Sequence, residues 1–148
     1  MTALVRRQAP GSPPLRGEQV RRLAERMLSY LNLEDSELSI LLTNDEFIHT
    51  LNLEHREKDK PTDVLSFPLN EFSAPEVPLP GQNLLYLGDV VISLDTAERQ
   101  AKGRKRELLA EVRFLLAHGL LHLLGYDHAE PEEKKEMTKR TRQLVAHS

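Results

Sequence analysis

The segment from Lys105 to Leu124 constrains the fold most, because it predicts a long helix that ends at a glycine. His118 and His122 lie four residues apart in it, so their side chains project from one face, one turn apart. Gly125 can adopt the left-handed backbone conformation that ends a helix. The chain can then turn back and bring His128 toward the other two. The sequence therefore predicts three imidazoles that converge on one point.

Three imidazoles without a fourth protein ligand are typical of a catalytic zinc-type site, which keeps one coordination position open. For the pair at i and i+4 alone, histidines without a metal are an equally good interpretation. The third histidine after the glycine favours metal binding by His118, His122 and His128. The remaining histidines lack such spacing, and solvated side chains are predicted for them: His49, His55 and His147.

Gly119 separates this motif from one class of metal hydrolase. Metallopeptidases with the pattern HExxHxxGxxH share the histidine and glycine spacing, but a glutamate follows their first histidine and serves as the general base. Gly119 stands at that position and has no proton acceptor. Either another residue supplies the base, or the chemistry is different.

Length and composition indicate one domain with a single core, since the chain has 148 residues. It contains no cysteine, so disulfides and thiolate metal ligands are impossible, which fits a reducing cytosol. No apolar run is long enough to span a bilayer, and the first residues lack the apolar core of a signal peptide. Residues 1–16 are rich in proline and are predicted to be flexible, or a strand followed by a loop, before a single domain at residues 17–148.

The formal net charge of −3 is not typical of a nucleic-acid-binding protein. The charge is nevertheless uneven, because five cations crowd one stretch. This basic segment consists of Arg99, Lys102, Arg104, Lys105 and Arg106. It could bind phosphates locally, or it could be a solvated junction between two helices, and charge alone does not decide between these.

Hydrophobic periodicity predicts a mixed fold. Helical spacing runs from Gly17 to Leu31, and further helices are expected after Asn44, after Ser93 and from Pro131. Short apolar runs predict strands at residues 38–42, 64–67 and 84–93. These elements indicate an α+β domain in which the histidine-bearing helix packs against the sheet.

A second group of polar residues lies upstream. Arg56 is a candidate to hold a phosphate, because its guanidinium is always charged and forks onto paired oxygens. Asp63 and Ser66 flank the entry to a predicted strand, and Asp89 lies within an apolar one. A buried aspartate needs a partner, so Asp89 could brace a loop or a metal-bound histidine. For each of these residues a structural role is an equally good interpretation.

The motif HGLLHLLGYDH, with the upstream DKPTDVLSFP and LGDVVIS, resembles the YbeY family of bacterial metal-dependent endoribonucleases, the rRNA maturation factors. The three motifs span Asp59 to His128 in the family's order. The resemblance implies a single-strand-specific endoribonuclease of the cytoplasm that acts in 16S rRNA 3′-end maturation and ribosome quality control. It also implies the small ribosomal subunit and its proteins as partners; neither DNA nor a membrane is expected.

The resemblance also implies site residues and a fold. It assigns metal binding to His118, His122 and His128, and it assigns the functional arginine of the family to Arg56. The fold it implies is a small mixed β-sheet packed against several helices, with the metal site in a cleft at the end of the long helix. Zinc is the expected metal, although nickel and copper accept the same ligands.

The expected mechanism combines a metal with an arginine. The metal would polarise a phosphoryl oxygen or lower the pKa of a bound water, which gives His118 a catalytic role, and Arg56 would stabilise charge at phosphorus. The basic segment would steer the RNA backbone. Two alternatives remain: a ribosome-assembly protein with a structural metal, and a metallopeptidase-like hydrolase.

Overall fold

The computed structural model of the chain describes residues 3–8, 15–69 and 86–148. No helix within these ranges is long and apolar enough to cross a membrane. The described elements, in chain order, are β1 (Ala3–Arg7), α1 (Gly17–Tyr30), β2 (Glu37–Thr43), α2 (Asp45–Arg56), β3 (Val64–Pro68), β4 (Tyr86–Ser93), α3 (Leu94–Gly103), α4 (Leu108–Leu123) and α5 (Pro131–Ala146).

The described strands form one mixed sheet in the order β1-β2-β4-β3. β1, β2 and β4 are parallel, whereas β3 runs antiparallel to β4 at one edge. The edge position suits Pro68, which has no N–H to contribute to a ladder. The predicted α+β class with a small mixed sheet is confirmed.

Side chains alternate between the two faces of the sheet, as the period of a strand requires. Ile40 and Val90 point into the larger core, which α1, α4 and α5 also line. Leu65 and Val91 point the other way and pack with Ile48 of α2. The sheet is therefore covered by helices on both faces.

α4 is the central helix of the larger core. Nine of its sixteen residues are buried, which explains why it is apolar around most of its circumference. Leu116 and Leu120 are fully buried, and truncating either to alanine would cost about 2–5 kcal/mol. This apolar packing holds the last turn of α4, and thus its histidines, in a fixed position.

The N-terminal segment differs in part from the prediction. Residues Ala3–Arg7 form β1, which pairs in parallel with β2, and Ala3 is fully buried. These residues thus form the strand of the alternative interpretation, a strand followed by a loop. Their structure depends on pairing with a strand more than thirty residues away, which local sequence does not reveal. Residues 9–14, which contain the prolines, lie outside the described residues.

α4 begins at Leu108, later than the predicted start at Lys105. Lys105 has a φ of 55°, in the left-handed region that ends α-helical backbone. The carboxylate of Glu111 accepts a hydrogen bond from Arg104 at 2.8 Å and lies 3.6 Å from the Arg106 guanidinium. These ion pairs hold the preceding residues beside the first turn of α4 instead of in line with it.

Candidate active site

The end of α4 and the turn after it bring three histidines together. Gly125 has a φ of 96°, and the N–H groups of Gly125 and Tyr126 donate to carbonyls of the last turn at 3.1 and 3.0 Å. These two bonds form a Schellman motif, which reverses the chain at the helix end. His128 thereby turns back toward His118 and His122, as the sequence predicts.

The spacing of the three rings fits a shared ion. Their centroids lie 4.7 Å apart for His118 and His122, 5.2 Å for His122 and His128, and 5.7 Å for His118 and His128. One nitrogen of each ring lies within 4.8 Å of the others, and the Nε2 atoms of His118 and His122 are 3.1 Å apart. Nitrogens that share one tetrahedral zinc ion lie about 3.3 Å apart. The group can therefore hold a metal ion.

The environment keeps two of these imidazoles neutral. Burial, together with the nearby rings of His118 and His128, lowers the pKa of His122 to about 4. Burial also lowers the pKa of His118, as does His128, while the Asp63 carboxylate opposes the change. A neutral imidazole has a free lone pair, and metal ligation requires it. The donor set thus fits a transition metal at neutral pH.

The histidines line an open cleft of about 850 Å³. The end of α2 contributes Arg56, and the following loop contributes Lys58. The buried side chain of Asn52 donates to the Lys60 carbonyl at 2.8 Å and so anchors this loop to α2. Within the described ranges neither Arg56 nor Lys58 has an ion pair. The cleft therefore combines a candidate metal site with two available cations, which suits an anionic ligand.

Asp63 lines this cleft, whereas Asp89 is absent from its described lining. The Asp63 carboxylate accepts a hydrogen bond from the Gln100 amide at 3.2 Å, which orients it beside His118. Asp89 instead accepts a bond from the Tyr86 hydroxyl at 3.2 Å. Of these two aspartates, Asp63 is the one whose charge affects a histidine of the cleft.

Gly119 lets α4 approach the sheet closely. A Cβ atom there would lie 2.8 Å from Val90 Cγ1 and 3.2 Å from both Ser66 Oγ and Val64 Cγ2. The Ser66 hydroxyl donates to the Gly119 carbonyl at 2.8 Å and ties β3 to the helix. A glutamate in this position would meet the sheet, so the metallopeptidase base is excluded by packing as well as by sequence.

His55 lines the cleft although its spacing in the sequence gives no indication of this. Its side chain is exposed, as predicted, and its ring meets the ring of Phe67 edge to face at 5.1 Å. The available signal was its neighbour Arg56, since adjacent residues at a helix end can reach the same ligand. The described lining contains neither His49 nor His147.

The basic segment contributes none of the described lining of the cleft. Arg99 pairs with Asp45 at 2.7 Å and Lys102 with Glu98 at 3.4 Å. Arg104 and Arg106 contact Glu111, so four of the five cations of the segment have a carboxylate partner, and Lys105 has no ion pair among the described residues. The structure therefore favours the helix-junction interpretation over a phosphate site in the cleft.

The chain therefore belongs to the class of α+β proteins that have a candidate three-histidine metal site in an open cleft, at the end of a buried helix. The sequence model of one family, described as Endoribonuclease YbeY, matches residues 13–148. The chain belongs to the YbeY family.

Two bacterial relatives with the name of this family are similar in sequence to the chain. The chain is 50% identical over 127 residues to "Endoribonuclease YbeY" of Anaeromyxobacter dehalogenans, covering 86% of this chain and 62% of that protein. The Aquifex aeolicus protein of the same name is 48% identical over 124 residues, with 82% and 77% covered. The chain thus spans less than two thirds of the length of the Anaeromyxobacter relative.

A solved structure shares the fold. The solution structure of TM1509 from Thermotoga maritima matches with a TM-score of 0.64 and 25% sequence identity, and the match covers 97% of this chain and 88% of that one.

Proposed function

We propose that this protein is a metal-dependent endoribonuclease that cleaves single-stranded RNA. The observation that carries the proposal is the convergence of three imidazoles in one cleft with two cations, Arg56 and Lys58, that have no ion pair among the described residues. An RNA phosphodiester is negatively charged and gains charge at phosphorus as it is cleaved, so its site needs electrostatic stabilisation of this kind. The names of the bacterial relatives support the same activity.

Zinc is the proposed cofactor, and His118, His122 and His128 would hold it. Imidazole suits zinc, and three protein ligands leave a coordination position for solvent or substrate, as in catalytic sites. An ion bound there would supply Lewis acidity and a water of lowered pKa. The larger core consists of apolar side chains, which supports a catalytic metal over one that holds the fold.

Arg56 would bind the scissile phosphate with two parallel hydrogen bonds and stabilise the charge that develops on it. Arg56→Ala is expected to lower kcat by about 10²–10³. Arg56→Lys keeps the charge but loses the fork, and it should recover only part of this loss. Steady-state kinetics on a defined single-stranded oligonucleotide measure both, and full activity in Arg56→Ala would remove the role.

We propose that the natural substrate is the 3′ end of 16S rRNA and that the protein acts in its maturation and in ribosome quality control. The partners would be the small ribosomal subunit and its proteins, in the cytoplasm. The support is the resemblance of three motifs to the family. Cells depleted of the protein should accumulate 3′-extended 16S rRNA, which the wild-type chain corrects and His118→Ala does not. Normal 3′ ends in depleted cells would contradict this.

The decisive test of the activity is metal analysis combined with cleavage assays. The purified protein should carry about one metal ion per chain and cleave single-stranded but not duplex RNA, and a chelator should abolish cleavage. His118→Ala should lose at least about a hundredfold in activity with little change in melting temperature. The matched control is His49→Ala, which is expected to remain active. Undiminished cleavage by the chelated protein would contradict the proposal. Unfolding of His118→Ala would favour the alternative of a structural metal.

A further inference from the structure

A second cavity adjoins the histidine cleft and has no role in the proposed function. It lies between α4 and α5 and has a volume of about 340 Å³. His118 and His128 line both this cavity and the cleft. The second cavity therefore lies next to the histidines that would hold a metal ion.

Aromatic residues are part of the lining of this cavity. Phe114 lies one turn before His118, and their rings are within 18° of parallel with centroids 6.5 Å apart. The ring of His128 is within 26° of parallel to that of His118. Met137 of α5 adds apolar surface. Flat heterocycles stack on surfaces of this kind, and proteins bind unpaired nucleobases in the same way.

A stripe of α5 lines the other side. Lys134, Thr138 and Arg142 are four residues apart and so share one face of the helix. In the described parts of the chain, Lys134 and Arg142 have no ion pair and the Thr138 side chain has no hydrogen bond. Two free cations beside an aromatic surface suit the phosphates on either side of a stacked base, and a free hydroxyl suits its edge.

We propose that this cavity binds the unpaired nucleobase of the nucleotide next to the scissile phosphate. The proposal rests on the endoribonuclease function and adds a subsite to it. It also accounts for the proposed preference for single strands, because a base in a duplex would have to leave its partner and its stack to enter. The occupant is a nucleobase of RNA, which aromatic stacking on Phe114 would recognise.

The first experiment measures binding without cleavage. The probe is adenosine 5′-monophosphate, ribose 5-phosphate is the control without a base, and the Met137 methyl NMR signal is the reporter. Adenosine 5′-monophosphate should shift this signal and ribose 5-phosphate should not. Phe114→Leu should raise the Kd about tenfold, and Phe114→Tyr, which keeps the ring, should leave it within about twofold.

The controls separate binding from folding. The methyl signal of Met27, which is fully buried in the core, reports on the fold of each variant. Lys135→Ala changes a residue of α5 outside the described lining of the cavity, and it should leave the Kd unchanged. Equal shifts with ribose 5-phosphate, or an unchanged Kd in a folded Phe114→Leu protein, would overturn the subsite.

The second experiment measures cleavage of an oligonucleotide with an abasic residue next to the cut. For the wild-type protein, kcat/KM should be about tenfold lower on abasic RNA than on intact RNA. For Phe114→Leu, which already cleaves intact RNA more slowly, kcat/KM on the two RNAs should differ by less than about twofold. If the wild-type protein cleaves no RNA, the proposed function fails, and the Met137 shifts alone decide whether a base binds. If intact and abasic RNA are cleaved equally, the subsite is overturned and the activity stands.

Discussion

The basic segment and α5 each carry five cations, but their side chains meet different partners. In the basic segment, Arg104 and Arg106 contact the fully buried carboxylate of Glu111, and Arg99 contacts Asp45. On α5, Lys134 and Arg142 have no ion pair within the described residues, and both line the cavity beside the histidines.

From this difference we infer that a cluster of positive charge can bind an anion only where carboxylates leave it available. A guanidinium that compensates a buried carboxylate cannot leave it for a phosphate without a large desolvation penalty. A cation without a partner leaves no carboxylate unpaired when it binds a phosphate, and counterion release from the RNA favours binding. We therefore expect the basic segment to contribute to stability and the cations of α5 to contribute to RNA binding.

The largest expected effect is a loss of protein stability when cations of the basic segment are replaced. Replacing Arg104 and Arg106 together by alanine leaves the Glu111 carboxylate buried without a cation. The free energy of unfolding should fall by about 3 kcal/mol, at the low end for a broken buried pair because both arginines are about half exposed. Urea denaturation measures it.

The matched control removes two cations from α5. Lys135 and Lys139 have no ion pair in the described part of the chain, so their joint replacement by alanine should change stability by less than about 1 kcal/mol. If the two double variants lose the same stability, the distinction between the regions is wrong.

The next effect is on RNA affinity and concerns the α5 stripe. Replacing Lys134 and Arg142 by alanine should reduce the slope of log Kd against log salt by about 1.4 for single-stranded RNA, and weaken binding about tenfold at moderate salt. The comparison variant replaces Arg99 and Lys102, two cations of the basic segment that have carboxylate partners, and it should keep the wild-type slope. Fluorescence anisotropy at several salt concentrations checks both, and equal losses would refute the assignment.

The histidine site could be predicted because its determinants are local. The four-residue spacing of His118 and His122 and the φ of Gly125 lie within one helix end. The starts of α2 and α3, predicted after Asn44 and after Ser93, are also determined locally. The Asn44 side chain accepts a hydrogen bond from a backbone N–H of α2 at 2.9 Å, and the Ser93 side chain accepts one from a backbone N–H of α3 at 3.3 Å. In each case a residue's own neighbours determine the outcome.

The features that the sequence did not predict depend on distant contacts. β1 exists because β2 pairs with it, and the late start of α4 follows from ion pairs of Glu111 with residues before the helix. The place of His55 in the cleft follows from how α2 lies beside the end of α4. The cavity lined by Phe114 requires α5 to pack against α4, and no spacing within either helix encodes that.

A smaller effect concerns how the stability contributed by Asp45, the partner of Arg99, changes with pH. Burial alone would raise the pKa of Asp45, but hydrogen bonds from Ser93, Thr96 and Arg99 outweigh it and lower that pKa below its ordinary value of 3.8. The charged carboxylate therefore contributes stability that is fully present well above pH 4. This contribution is lost as the pH falls through the folded-state pKa.

Asp45→Asn tests this dependence. At pH 7 it should lower the free energy of unfolding by about 1 kcal/mol, because its oxygen accepts weaker hydrogen bonds than a carboxylate does. The difference from wild type should shrink as the pH falls below about 4. The exposed Asp35, replaced in the same way, should show little difference at either pH. A gap for Asp45→Asn that stays constant down to pH 2 would show that its charge is not involved.

The smallest effect is expected for Lys102 and Glu98, the most exposed pair of the basic segment. They are four residues apart on α3, with side chains that are 76% and 38% exposed and 3.4 Å between charged atoms. A double-mutant cycle with alanine should give a coupling of only about 0.3–0.5 kcal/mol, which 0.5 M salt should largely remove. A coupling above about 1 kcal/mol would mean that even the exposed cations of this segment are committed to its structure. A coupling near zero would mean that Glu98 does not restrain the Lys102 ammonium group. Lys102 and Lys134 would then differ in their position relative to the histidines and not in their ion pairing.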